Sequence, residues 1–333
     1  MKAESRDYAS YVRSKLAVHP PSGIADPTIG VRRLFPFQHD LVSWALRRGR
    51  AAVFADTGLG KTGMQIAWAD AVARHTSGDV LILAPLAVAA QTVAEGVACG
   101  VDVTICRDAA DVRPGLNVTN YDRLHRFDPA RFSGVVLDES SCIKHHDAKT
   151  LRTLLDAFAA CPFRFCATAT PAPNDWTELG THAEFLGVCT RTEMLSEFFC
   201  HDGGETQVWR LKGHARRAFW RWVSSWGAMV RRPSDLGYSD DGYALPAART
   251  TSHTVATDAA TLRAGGVLFA QEAATLMDRR NARRGSIDAR VTMCADLVNA
   301  DPTEPWIVWC DLNAESEALT KAIRGAVEVR GSD

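Results

Sequence analysis

A short glycine-punctuated stretch, Gly58-Leu59-Gly60-Lys61-Thr62, carries residues of the types best suited to bind phosphate. It follows an apolar, β-prone run at 51–55 and precedes a run of helical character at 64–69. A strand–loop–helix arrangement points backbone N–H groups and the positive end of the helix at one spot, which favours an anion there. The ammonium of Lys61 can then reach the β- and γ-phosphates of a nucleotide, and the hydroxyl of Thr62 can bind Mg²⁺.

The stretch departs from the phosphate-loop pattern at Ala55, where the pattern has its first glycine. The alternative interpretation is an ordinary strand-to-helix turn that ends in a lysine. A second signal lies downstream, where the apolar run 134–137 ends in Asp138 and Glu139, as a buried parallel strand would. Asp138 would hold Mg²⁺ directly or through water, and Glu139 would polarise an attacking water. Alone, such a pair is often only a helix-capping turn, but the phosphate loop favours the catalytic interpretation.

The composition is that of a globular protein, with 333 residues of which 46% are hydrophobic and 23% charged. The formal net charge is −1, so any binding of nucleic acid must come from a local basic surface. The nine cysteines include no Cys-x-x-Cys pair, which indicates free thiols in a reducing compartment. The N-terminus has no signal-peptide core and no run approaches a membrane span, so we expect a cytoplasmic protein.

Strand-like and helix-like segments alternate from residue 79 onward, which predicts a doubly wound α/β domain that binds ligands at the carboxyl ends of its strands. The strand-like segments are 80–85, 101–106, 116–120, 135–137 and 163–169, and the helical ones are 87–98, 148–160 and 175–186. A further helix begins after Pro36, with Gln38 in its first turn. The amide of Gln38 could satisfy a donor and an acceptor of an adenine edge, although a solvated glutamine is an equally good interpretation.

Six short motifs occur in the order and approximate spacing of superfamily 2 helicases and translocases. They are Phe37-Gln38, Ala55 to Thr62, Leu83-Ala84-Pro85, Thr119-Asn120-Tyr121, Leu137 to Ser140, and Ala167 to Pro171. Over about 140 residues the sequence most resembles the Swi/Snf-type branch, in its phage and bacterial DEAD/DEAH-like members. The resemblance implies an α/β fold with a RecA-like P-loop NTPase domain built on a parallel sheet.

The resemblance also implies a role for residues of each motif. ATP would be held by Gln38 and by the loop residues Thr57, Gly58, Leu59, Gly60, Lys61 and Thr62. Mg²⁺ would be held by Thr62 and Asp138, and catalysis would depend on Glu139, Asp138 and Lys61. Thr168 and Thr170 would couple the nucleotide state to the grip on DNA, and Pro85, Asn120 and Tyr121 lie where the family touches the nucleic-acid backbone. Asp-Glu-Ser-Ser replaces the family's usual Asp-Glu-Ala-His or Asp-Glu-Ala-Asp, which leaves the contact of the last residue unassigned.

The segment 188–250 breaks the α/β alternation and contains a predicted helix at 215–229 that is rich in arginine and tryptophan. Its arginines, Arg216, Arg217 and Arg221, alternate with aromatic residues, which suits neutralisation of phosphates together with base stacking. The alternative is a helical hairpin that buries its tryptophans and exposes its arginines. The family places a similar segment between its two motor domains.

The segment 251–333 resembles the opening of the family's second RecA-like domain. We expect helices at 259–277, 288–299 and 314–323, a buried strand at 306–310 and another strand at 327–329. The later family motifs, including the arginine finger, have no counterpart in the sequence. The expected organisation is an N-terminal extension at 1–30, a RecA-like ATP-binding domain at 31–187, a helical insertion at 188–250 and an incomplete second domain at 251–333.

The sequence thus predicts the ATP-binding motor domain of a DNA-dependent ATPase, with ATP and Mg²⁺ as ligands and duplex DNA as partner. The first alternative is a non-hydrolysing, nucleotide-dependent binding module. It stays open because a trans arginine is worth about 10³–10⁵ in rate in related NTPases. A phosphate-transferring kinase is a third interpretation.

Overall fold

A computed structural model describes residues 19–144, 149–202, 205–244, 246–255 and 275–329 of the chain. The chain forms two compact units, Met1–Leu245 and Pro246–Asp333. In the described residues, no helix has the length and apolar character needed to cross a lipid bilayer.

The first unit is built on a parallel β-sheet. Its described strands are β1 (Arg50–Ala55), β2 (Asp79–Ala84), β3 (Val103–Ile105), β4 (Leu116–Asn120), β5 (Phe132–Asp138), β6 (Phe163–Ala167), β7 (Phe199–Asp202), β8 (Glu205–Leu211) and β9 (Gly227–Val230). All except β7 and β8 lie in one sheet in the order β3-β4-β2-β5-β6-β1-β9, and every pair in that sheet is parallel. β7 and β8 form a separate antiparallel hairpin. The predicted α/β fold with a parallel, RecA-like sheet is confirmed.

Helices cover both faces of the sheet. They are α1 (Pro36–Arg48), α2 (Lys61–Thr76), α3 (Ala89–Cys99), α4 (Lys149–Ala157), α5 (Leu179–Phe185), α6 (Arg191–Phe198) and α7 (Arg216–Val223). One apolar cluster joins α1, α2 and α3 to alternate strand residues such as Val53 and Ile82. The other joins α4 to α7 to the intervening residues, such as Phe54 and Leu83. Since successive strand side chains point to opposite faces, burial on both faces explains why these strands are continuously apolar.

The predicted helix at 215–229 is wrong after Val223, where α7 ends. The backbone N–H of Ala52 in β1 donates to the carbonyl of Trp226 at 2.8 Å, and β9 then pairs with β1. The free edge of β1 would leave backbone groups without partners, and β9 satisfies them. The segment 188–250, expected as a separate helical insertion, therefore contributes a strand to the main sheet.

The second unit contains three described helices, α8 (Leu276–Gly285), α9 (Ile287–Ala300) and α10 (Asn313–Ala322), so the helices predicted at 288–299 and 314–323 are confirmed. The predicted buried strand at 306–310 is wrong, because Ile307 and Trp309 are 80% and 90% exposed and the segment is not a strand. The prediction at 327–329 is wrong for the same reason. A strand needs a partner for its backbone groups, and residues 275–329 offer no neighbouring strand. Residues 259–274 of the helix predicted at 259–277 lie outside the described residues.

Candidate nucleotide site

Three loops that carry site residues leave the sheet at adjacent positions along one edge. The phosphate loop follows β1, the Asp138–Glu139 turn lies at the end of β5, and Thr168 follows β6. β6 pairs with β1 on one side and with β5 on the other. Because parallel strands end at the same edge, this order brings the three predicted loops together at the edge where α/β sheets bind ligands.

The phosphate loop adopts a conformation that favours glycine. Gly58 and Gly60 have φ angles of +85° and +73°, in the region that residues with side chains rarely enter. A Cβ at Gly60 would collide with Nε2 of Gln38, whereas a Cβ at Gly58 would meet nothing within 4 Å. Leu59 is buried and fastens the loop to the core. α2 begins at Lys61 without a side-chain cap, so its first backbone N–H groups are available to an anion.

Lys61 lies across the end of β1, where its Nζ donates to the carbonyl oxygens of Ala55 at 3.1 Å and of Asp56 at 3.3 Å. The methyl group of Ala55 packs in the apolar core beneath the loop. Ala55 is the last residue of β1, so the missing first glycine of the pattern falls within a regular strand rather than in the turn. Thr62 follows in the first turn of α2.

Gln38 connects α1 to the phosphate loop and is almost fully buried. Its Nε2 donates to the carbonyl of Leu59 at 2.9 Å, and its Oε1 accepts from the N–H of Phe35 at 2.9 Å. A glutamine amide has two N–H groups and two oxygen lone pairs, so one donor and one acceptor remain for another partner. The solvated glutamine considered from the sequence does not describe this side chain.

An aromatic cluster lies beside Gln38, and the sequence analysis did not detect it. It consists of Phe35, Phe37, Tyr238 and Tyr243, whose ring centroids lie 5.5–6.4 Å apart. Phe35 is 56% exposed. The two tyrosines come from a loop far along the chain, so local sequence around Gln38 gave no signal for them.

Asp138 is buried at the end of β5, with 5% of its surface exposed. Its Oδ1 accepts from Nε2 of Gln65 at 2.6 Å and from the N–H of Glu139 at 3.1 Å. Burial raises the pKa of Asp138, and the hydrogen bond from Gln65 opposes that rise. The positive charge of Lys61 also lowers the pKa of Asp138.

Gln65 is a site residue that the sequence analysis missed. It lies one turn after Lys61 on α2, a spacing that places both side chains on one helix face. Its side chain is 1% exposed, and within the described residues its Oε1 has no hydrogen-bond partner. A buried amide oxygen without a partner beside a carboxylate is the kind of atom that a hydrated cation would satisfy.

Glu139 is held in an unusual conformation at the end of β5. Its φ is +48°, a left-handed value that costs energy in a residue with a side chain. Its Oε2 accepts from the hydroxyl of Thr168 at 3.1 Å, and that same hydroxyl oxygen accepts from the N–H of Thr170 at 3.1 Å. The side chain of Thr168 thus ties the loop after β6 to the second carboxylate.

Two of the residues predicted to contact nucleic acid have internal partners. The Tyr121 hydroxyl donates to the backbone carbonyl of Asp138 at 2.6 Å, and burial raises its pKa well above the ordinary value. The buried Asn120 accepts from the N–H of Arg123 at 3.1 Å, which caps a short helical turn. Pro85 follows β2 and precedes a turn at Leu86–Val88. A role of these residues in nucleic-acid binding stays a prediction.

The three predicted arginines, Arg216, Arg217 and Arg221, are exposed on α7; we call them the arginine face. Phe219 and Trp226 are buried, so these aromatic residues belong to the core, as the structural alternative proposed. Trp220 differs, because it is half-buried and meets the edge of Trp176 with ring centroids 5.0 Å apart. Trp176 is 46% exposed and had not been singled out from the sequence.

No protein-family model and no curated protein matches the chain. Among solved structures, it is similar to the Sulfolobus solfataricus SWI2/SNF2 ATPase core in complex with dsDNA, at 21% identity and a TM-score of 0.43, over 53% of this chain and 40% of that one. It is also similar to the UvsW helicase from bacteriophage T4, at 14% identity and a TM-score of 0.40, over 56% of this chain and 67% of that one. The Pyrococcus furiosus Hef helicase domain is 16% identical with a TM-score of 0.40, over 48% of this chain and 39% of that one.

These similarities concern the fold alone. The chain spans 40% of the length of the Sulfolobus structure. Each of these three structures is less than 25% identical to the chain, with a TM-score under 0.5. The function proposed below therefore rests on this chain's own site residues.

Proposed function

We propose that the first unit is the ATP-binding motor domain of a nucleic-acid-dependent ATPase of the helicase or translocase type. The observation that carries the proposal is the convergence of a phosphate loop, a buried aspartate and a glutamate at adjacent strand ends. A helix-capping turn would explain the presence of either carboxylate by itself. It would not explain why a buried aspartate lies against the helix that begins at Lys61.

The residues present fit ATP and Mg²⁺. The open space at Gly58 and the uncapped start of α2 offer N–H groups to phosphates, and Lys61 is the nearby cation. Gln38 keeps one donor and one acceptor for an adenine edge, beside the exposed ring of Phe35. Thr62 and Asp138 would hold Mg²⁺, which would neutralise charge on the phosphate oxygens. A site with so few protein ligands is typical of Mg²⁺, which keeps waters and binds phosphates.

Glu139 would orient the attacking water; its half-exposed position supports this role, whereas Asp138 is buried. Its hydrogen bond from Thr168 leaves a second carboxylate oxygen for the water proton. Movement of the loop after β6 would therefore directly change the position of the Glu139 carboxylate. This is the basis of our proposal that Thr168 and Thr170 couple nucleotide state to nucleic-acid binding.

The arginine face supports duplex DNA as the partner, because three exposed guanidinium groups on one short helix can neutralise backbone phosphates. Trp176, which is 46% exposed, contacts Trp220 beside this face and could contribute stacking with an unpaired base. Preference for single strands over duplex would indicate that stacking contributes more than phosphate neutralisation.

A non-hydrolysing, nucleotide-dependent binding module is the second candidate function. The observation in its favour is that Lys61 is the cation acting on Asp138, and in the described residues no arginine hydrogen-bonds to Asp138 or Glu139. In related NTPases an arginine supplied from outside accounts for about 10³–10⁵ in rate.

Steady-state ATP hydrolysis, measured with and without duplex DNA, separates the two functions. A motor predicts turnover that DNA stimulates and that Glu139→Gln abolishes while ATP affinity is retained. ATP binding without turnover under either condition would favour the non-hydrolysing module. Absence of ATP binding in the folded protein would refute both.

A further inference from the structure

A buried histidine contacts the turn after β5, which carries Glu139. His182 in α5 and Ser140, the residue after Glu139, are both fully buried, and Nε2 of His182 lies 3.1 Å from Oγ of Ser140. No hydrogen bond joins His182 to a carboxylate in the described residues. The sequence gives no signal for this pair, because the two residues lie on different elements far apart in the chain.

His182 also contacts the strand that leads to the phosphate loop. Its ring meets the ring of Phe54 edge to face, with centroids 5.2 Å apart. Phe54 directly precedes Ala55, whose carbonyl accepts from Lys61. One side chain therefore touches the end of β1 and the turn after β5, the two elements that hold the phosphate loop and the carboxylates.

Burial lowers the pKa of His182 to about 4, so the imidazole is neutral near pH 7. A neutral imidazole has one donor and one acceptor, and either can pair with a serine hydroxyl. The ring of His182 is fully buried and packs against Phe54. The hydrogen bond thus places Ser140 at a set distance from the core, which is costly to lose in a buried site.

We propose that His182 is a positioning residue that acts through Ser140 to hold Glu139 in its left-handed, water-orienting conformation. This proposal rests on the proposed ATPase function, because it assumes that Glu139 orients the attacking water and that Ser140 helps to hold Glu139 in position. Glu139 has φ +48° and would relax to a commoner conformation if the following residue were released. The proposal also explains a role for Ser140. The family's usual sequence has an alanine at this position, which could not form the hydrogen bond to His182.

The first test is a comparison of His182→Phe with His182→Gln. Phenylalanine keeps the ring packing and removes the hydrogen bond, whereas the glutamine amide nitrogen or oxygen can take the place of Nε2. We expect His182→Phe to lower kcat about tenfold, the upper range for one buried hydrogen bond, with ATP affinity changed less than about threefold. His182→Gln should recover most of that loss.

Ser140→Ala and the double variant Ser140→Ala/His182→Phe show whether His182 acts through Ser140. If it does, the double variant is no slower than the worse single variant, because the same contact is removed once. Thr181→Val is the matched control, because Thr181 is equally buried on the same helix and donates to the carbonyl of Glu178 instead. Multiplied losses in the double variant, or an equal loss in Thr181→Val, would overturn the proposal.

Amide hydrogen exchange gives a readout that does not depend on turnover. The N–H groups of Cys142 and Lys144 bond to the carbonyls of Glu139 and Ser141, so they report on the turn itself. We expect faster exchange at these amides in His182→Phe and not in Thr181→Val. If wild type binds ATP without hydrolysing it, the ATPase proposal fails while this measurement still decides whether His182 holds the turn. Unchanged exchange in His182→Phe would show that it does not.

Discussion

The substitution Asp138→Asn should stabilise the protein while it removes Mg²⁺-dependent turnover. Asp138 is almost fully buried, and burial raises its pKa, so the ionised side chain costs the fold more than its two hydrogen bonds return. Asparagine keeps the shape and removes the charge. Its amide can also donate to Oε1 of Gln65, a buried atom that has no hydrogen-bond partner among the described residues.

The expected gain is about 1 kcal/mol, the lower end of the cost of one unsatisfied buried polar group. For a unit of this size that corresponds to a rise in Tm of about 2–4 °C. The gain should depend on pH. Because the pKa is raised on folding, the stability contributed by the protonated Asp138 is present below its ordinary value of 3.8 and is lost as the pH rises through the folded value. The difference between variant and wild type should therefore be small near pH 4 and largest at neutral pH.

Differential scanning calorimetry without nucleotide or Mg²⁺, repeated across this pH range, measures the effect. Asp79→Asn is the matched control, because Asp79 accepts from Nε of Arg131 at 3.0 Å and from the N–H of Gly115 at 3.0 Å at the partly exposed start of β2. There the loss of charge removes an ion pair and should not raise Tm. A lower Tm for Asp138→Asn at neutral pH would mean that the hydrogen bonds outweigh burial and would refute this reasoning.

Three further predictions concern binding and turnover. Lys61→Ala should weaken ATP and ADP binding about 100-fold in calorimetry with little change in Tm, since the side chain serves ligand phosphates more than the fold; unchanged affinity would contradict the assigned role. Thr168→Val removes the hydrogen bond to Glu139 and should lower kcat about tenfold at constant ATP affinity, whereas a loss confined to affinity would count against coupling. Reversal of charge at Arg216, Arg217 and Arg221 should reduce the slope of DNA affinity against salt concentration. An identical slope in variant and wild type would mean that these arginines do not contact DNA phosphates.

The strands and the site motifs could be predicted because the relevant information is local. A strand buried on both faces is a continuous apolar run, and each motif directly follows such a run, as in the passage from β5 to Asp138. Because parallel strands end at one edge of the sheet, these motifs also predicted that the phosphate loop and the carboxylates lie close together.

The missed features all depend on contacts between distant parts of the chain. β9 has only four residues and follows an amphipathic helix, so nothing local indicated that it would complete the sheet beside β1. In the sequence, His182 is a single histidine in an apolar helix. Its importance depends on its contact with Ser140, which only the fold brings about. The opposite error occurred at 306–310, where an apolar run was taken for a buried strand, although no partner strand lies among the described residues of that unit.

The pairing of β1 has a consequence for the order in which the protein assembles during synthesis. β1 is synthesised before its two neighbours, β6 and β9, which lie much later in the chain. Pairings between such distant segments form slowly, because a long loop must close before they contribute any stability. Until β9 is available, the strand that supports Lys61 has an open, apolar edge, which is the kind of surface that chaperones and aggregation both recognise. The phosphate loop is therefore synthesised well before the strands that fix β1, and the loop with it, in place.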